Sequence, residues 1–169
     1  MAVSVYTFVD NFRRCLDNAA GLLRKGAAFA AERGVSEAEM LDWRLIEDMK
    51  PLGFQIMVVI NFAQQWPARA AGVAVPEAVA EDLSVAGFLA EIAKAKAFLA
   101  TLTPEQLTER EDAPVSYEIM PGMAPTLPAS QWLAVFATTN LYFHQSTAYG
   151  ILRSKGLPLG KPDLFAAGL

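Results

Sequence analysis

One histidine and one cysteine in 169 residues exclude a good deal of chemistry at the outset. With Cys15 alone there is no intrachain disulfide, thiolate zinc cluster or dithiol redox motif. No base adjoins it to activate it as a nucleophile, so it reads as a small buried apolar residue. With His144 alone, no multi-histidine site can form within one subunit. Charge is sparse too, at 19% of residues and a net of -4. The basic residues are scattered and not interleaved with aromatics, which argues against a nucleic-acid surface. Long apolar runs are missing: Ile56-Met57-Val58-Val59-Ile60 is closed by Gln55 and Asn61, far short of the roughly 20 residues of a membrane span. Met1-Ala2-Val3-Ser4 has no basic opening, and Asp10, Arg13 and Arg14 interrupt any signal-peptide core, which predicts a cytoplasmic protein. Catalytic signatures are absent as well. Gly156 to Lys161 lacks the glycine spacing and the Ser or Thr of a phosphate loop, and there is no nucleophile elbow, dinucleotide fingerprint or H-E-x-x-H pair.

Apolar residues make up 53% of the chain and mean hydropathy is +0.26. Such a chain buries a central helix or a large interface. The stripe Val5, Val9, Phe12, Leu16, Ala19, Leu23 and Ala27 predicts a first long helix ending near Gly34. Ser36 and Glu39 form a capping box for a short turn. A second long helix is expected from about Asp48, its N-cap, with Pro51 in the first turn and Pro67 either as its breaker after Trp66 or as the start of a kinked extra turn through Ala68 and Arg69. Ser84 starts a third, and Thr103, Pro104 and Gln106 cap a brief extra helix. The alternation Val115 to Ile119 and the Pro121-Gly122 turn predict a small β-hairpin, or an ordered loop of similar reach. Pro128 opens the last long helix and Gly156 closes it. Four long helices with short extra ones make an all-α four-helix bundle, one domain over residues 1–169.

On a helical wheel His144 shares an arc with Leu133, Ala137, Leu141, Ala148 and Ile151, flanked by Asn140 and Thr147. It therefore faces the core or an interface. The second helix carries Asp48, Leu52, Gln55, Val59, Phe62 and Trp66 on one stripe, so Asp48 and Gln55 are the expected companions of His144. Two readings stand at each position. His144 is either a hydrogen-bonded packing residue, the commoner fate of a lone inward histidine, or a functional group. Asp48 is an N-cap or an acid/base partner, Gln55 a bridging amide or a pocket-lining group, and Tyr149 and Tyr142 core aromatics or pocket phenols. The charge run Glu109 to Asp112 is a solvated loop.

Leu45-Ile46-Glu47-Asp48-Met49 before Pro51-Leu52, with Gln55 one turn on, resembles an uncharacterised bacterial branch of the DinB/YfiT-like superfamily. The last helix agrees through Phe143-His144, Thr147-Ala148-Tyr149, Ile151-Leu152-Arg153, Gly156 and Leu159-Gly160-Lys161-Pro162-Asp163. The resemblance implies a DinB/YfiT-like bundle, commonly a homodimer. It also implies relatives that bind a divalent metal, zinc or nickel, through three histidines, some of them thiol-dependent transferases. One of those histidines lies on the second helix and two form an H-x-x-x-H pair on the last. Here His144 matches the first of that pair, Ala148 stands in the second place, and the second helix has no histidine. The triad is lost, and any metal would fall to His144 and Asp48, a weak site. The expectation is thus a metal-free homodimer needing no cofactor, either binding a small molecule through His144, Gln55, Asn140, Thr147 and Tyr149 or acting as a structural or regulatory unit. The alternative is an enzyme, metal-dependent or using His144 with Asp48 as an acid/base pair.

Overall fold

The computed structural model of the chain describes residues 4–165. Met1, Ala2 and Val3, where the leader reading begins, and the last four residues of the expected domain lie outside them. Among the described residues no helix is long and apolar enough to cross a membrane.

Helix α1 (Tyr6–Glu32) buries the predicted stripe of Val9, Phe12, Leu16, Ala19 and Leu23. Gly34, at φ +70°, turns the chain out, a conformation that costs a residue without Cβ little. The Ser36 hydroxyl accepts from the Glu39 N–H and caps α2 (Glu37–Leu41).

The second long helix departs from expectation at its start. α3 runs from Leu52 to Ala71 with Pro51 as its N-cap and no side-chain cap; Asp48 lies in an exposed turn before it. Pro67 does not break the helix. A helix interior proline costs about 3 kcal/mol, and here the turn beyond it buries Ala68, Ala70 and Ala71 before Gly72 ends it in the left-handed region. That burial outweighs the lost N–H. The following segment is held to α3 by side-chain amides: Asn61 Oδ1 accepts from the Val79 N–H at 2.8 Å, and Gln64 and Gln65 donate to the carbonyls of Glu77 and Pro76. Sequence gave no sign of that anchoring.

Ser84 caps α4 (Val85–Leu99), and Thr103 with Gln106 completes both bonds of the capping box of α5 (Pro104–Glu109). The expected hairpin is present: β1 (Pro114–Ser116) pairs antiparallel with β2 (Thr126–Pro128), Val115 opposite Leu127. The last long helix is one rod of three parts, α6 (Ala129–Gln131), a π-helical segment (Trp132–Ala137) and α7 (Thr138–Ser154). The Thr138 hydroxyl donates to the Leu133 carbonyl five residues back, at 2.7 Å. Successive i+4 steps overshoot a full α-turn by about 40°; the wider π turn removes that drift. Leu133, Ala137 and Leu141 all stay on the core face, each fully buried. A short α8 (Pro162–Phe165) follows, tied down by Asp163, which accepts from the Gly160 N–H and pairs with Lys25.

α1 and α3 each pack against α4 and α7 and against each other, so they form the short diagonal of the bundle. Where the hairpin meets the rod, Trp66 of α3 stacks on Trp132 at 4.9 Å. Phe136 and Tyr117 close around them edge-on. The Trp132 Nε1–H donates to the Val115 carbonyl at 2.8 Å and fixes the hairpin to the bundle.

Candidate functional site

Gln55 and His144 meet between α3 and α7, the closest-packed pair of long helices. Gln55 is buried on the core side of the first turn of α3. Its Nε2 donates to the Lys50 carbonyl at 2.9 Å. Because a carbonyl only accepts, this bond orients the amide and turns Oε1 toward His144, whose Nδ1 lies 2.7 Å away. An amide oxygen also only accepts, so Nδ1 carries the proton. In the neutral ring Nε2 then keeps its lone pair, and it has no hydrogen-bond partner among the described residues. His144 is half-buried, with the edges of Phe54 and Phe143 at 6.1 and 5.1 Å between ring centres. Burial pushes its pKa below the usual 6.5, and no carboxylate is bonded to it to offset that.

Of the other residues singled out by sequence, none joins this pair through a hydrogen bond. Asp48 is exposed in the turn before α3, with no hydrogen bond or ion pair to His144. Of the two expected companions of His144, Gln55 is bonded to it and Asp48 is not, because α3 begins one turn later than predicted and Asp48 is left off it. Asn140 donates to the Phe136 carbonyl and Thr147 to that of Phe143, each four residues back on its own helix. Tyr149 reaches the Leu159 carbonyl of the exit loop at 3.3 Å. Tyr142 donates to Asn11 at 3.0 Å, on the opposite flank near Cys15, whose thiol burial pushes up to about 12.

A three-histidine metal centre does not fit these residues. Nδ1 of the single imidazole is committed to Gln55, Ala148 offers no donor four residues on, and the Gln55 amide is spent on both sides. Among the described residues no three His, Cys, Asp or Glu side chains converge.

Phe54 also lines a cleft of about 640 Å³ bounded by α2, the start of α3 and residues 81–84. Phe54 is shared: its ring edge meets His144, and the Lys50 ammonium sits 4.9 Å over its centre. Leu41, Pro51 and Leu83 supply the other apolar walls, and Glu37, Asp42, Arg44, Glu81 and Asp82 the charged ones. His144 does not line it. Sequence reasoning missed Phe54, Lys50 and the 81–84 wall. Phe54 falls off the inward stripe of α3, and nothing local shows that Glu81 and Asp82 return beside it; the amide anchoring of residues 76–79 puts them there.

A family model described as a domain of unknown function (DUF1993) matches residues 6–165. Among solved structures, the chain is similar to the crystal structure of a DinB family member protein from Shewanella denitrificans. The two share 27% identity and a TM-score of 0.85, covering 95% of this chain and 90% of that one. No curated protein matches the chain.

Proposed function

Because this chain belongs to the DUF1993 family of domains of unknown function and has a DinB-like fold, we propose that it is a metal-free cytoplasmic bundle that binds a small molecule beside Phe54 and His144 and works as a homodimer. The observation that carries the metal-free part is the donor set: among the described residues no three His, Cys, Asp or Glu side chains converge, and the side chain bonded to the one imidazole is a carboxamide. What remains is a neutral ring with a single acceptor, Nε2; the ring lies outside the adjoining cleft and touches its wall through Phe54. The adjoining cleft has the volume typical of small-molecule sites, about 300–1,000 Å³. The alternative of a His144–Asp48 acid/base enzyme has less support, since the two are not bonded. The lone reduced cysteine suits the cytoplasm.

Elemental analysis of tag-free protein purified without chelator tests the first element. We expect well under one divalent metal per chain, unchanged in His144→Ala. Stoichiometric zinc or nickel lost in that variant overturns the proposal and revives the metalloenzyme.

The dimer rests on apolar exposure along one flank of α7. Phe143 is 58% exposed, and Leu45 and Ile46 of the preceding loop are 41% and 59% exposed. Gly150, two helical turns from Phe143, lies against Leu45, so these side chains share a face. Light scattering should give twice the chain mass, and Phe143→Glu should give the monomer mass at unchanged helicity. A parent mass equal to one chain at every concentration rejects dimerisation.

A further inference from the structure

The charges around the cleft are unbalanced in a way that selects a ligand. Four carboxylates line it against two cations. Arg44 is already committed, to Asp42 at 2.7 Å and to the Met49 carbonyl at 2.9 Å. That leaves Glu37, Glu81 and Asp82, whose carboxylates have no partner among the described residues. Against them stands one ammonium, that of Lys50, which engages none of the three and lies instead over the face of Phe54. The ring thus already holds a cation of the chain's own, with its flexible stem free to swing into solvent.

From this we infer that the cleft binds an organic ammonium, a primary or quaternary amine carried on an apolar body, which takes the place of Lys50 on Phe54. The ring face attracts a cation most strongly when the pair is partly desolvated. Leu41, Pro51 and Leu83 provide that apolar surround. Glu81 and Asp82, exposed at the rim, then neutralise the ligand's charge from a segment tied to α3 two residues earlier by the Val79 N–H donating to Asn61. An anionic ligand meets three unpaired carboxylates and is repelled. The inference rests on the small-molecule reading above and adds the ligand's chemical class and its seat.

Three probes sharing one ring decide it: benzylammonium, benzyl alcohol and benzoate, followed by amide chemical shifts of the full chain at millimolar concentration. We expect benzylammonium to shift Gly53, Phe54 and Ser84 saturably and to bind more tightly than the alcohol, with benzoate weakest. Glu81→Gln combined with Asp82→Asn should weaken benzylammonium about tenfold and leave the alcohol unchanged, two exposed charge contacts being together worth up to about that factor. Lys50→Met, which removes the competing ammonium, should tighten benzylammonium severalfold, so a gain as well as a loss is predicted. Equal binding of all three probes, or indifference to both variants, overturns the ammonium inference and leaves the small-molecule reading standing. No binding by any probe at these amides overturns both.

Discussion

Trp132→Ala is expected to cost about 3–5 kcal/mol, the range for removing a buried tryptophan. For a chain of this size that is a fall in melting temperature of roughly 6–20 °C. The indole is 1% exposed and is the centre of the aromatic cluster, stacked on Trp66, with Phe136 edge-on at 5.2 Å and Tyr117 at 6.1 Å. Its removal opens a cavity between α3, the π-helical segment and the hairpin, among the rings of Trp66, Phe136 and Tyr117. It also takes away the indole N–H from which the Val115 carbonyl accepts in addition to the Leu127 N–H of the strand pair. Trp132→Phe separates the two contributions: it keeps a ring in the stack and deletes the N–H, and should cost about 0.5–1.5 kcal/mol, the net worth of one hydrogen bond to a carbonyl that keeps its ladder partner. Urea or thermal unfolding reads both. An alanine variant melting with the parent would mean that the cluster does not join the hairpin to the bundle.

Gln55→Leu preserves volume but strands the His144 Nδ1–H and the Lys50 carbonyl together. Two part-buried groups that lose their partners cost together about 1–3 kcal/mol, below the full penalty because water reaches both residues. The informative companion is Gln55→Glu, because it changes charge at constant shape. In the parent, burial holds the folded-state pKa of His144 below 6.5. The unfolded chain therefore binds the proton more readily in that window: stability is full above pH 6.5, declines as pH falls below it, and levels off beneath the folded-state value. A carboxylate at position 55 favours the imidazolium instead. The pKa should then rise above 6.5, and the stability contributed by the pair should be present below that pH and be lost as pH rises through the new value. With one histidine in the chain, a single ring-proton resonance reports the titration without assignment. A Gln55→Glu midpoint at or below that of the parent would show that position 55 is not the electrostatic partner of His144.

Much of this site was legible in the sequence, and its failures share a cause. Periodicity placed His144 inward on the last helix and Gln55 inward on the second, and a close-packed bundle brings such positions together. Asp48 was misplaced because proline was read by its commonest helical role. Pro51 sits one step earlier, as N-cap, so the helix starts at Leu52 and leaves Asp48 in the turn. At Pro67 the sequence leaves a break and a continued turn both open: its local cost is visible there, whereas the burial of Ala68, Ala70 and Ala71 that decides for continuation depends on neighbouring helices. The π-helical segment also escaped detection, since a wheel assumes one fixed angle per residue.

By itself the sequence determined the number and polarity of the long helices, the caps at Ser36, Ser84 and Thr103, and the hairpin. These follow from local sterics, hydrogen-bond capacity and the period of apolar residues. It determined too that one imidazole and no second histidine would face the centre. Tertiary structure alone decided that the partner of that imidazole is an amide and not a carboxylate, and that Phe54 touches both the imidazole and a cleft. The 81–84 wall was likewise settled only there. Each of those outcomes depends on distances between segments far apart in the chain, which are fixed by packing and by buried hydrogen bonds and leave no periodic trace in the order of residues.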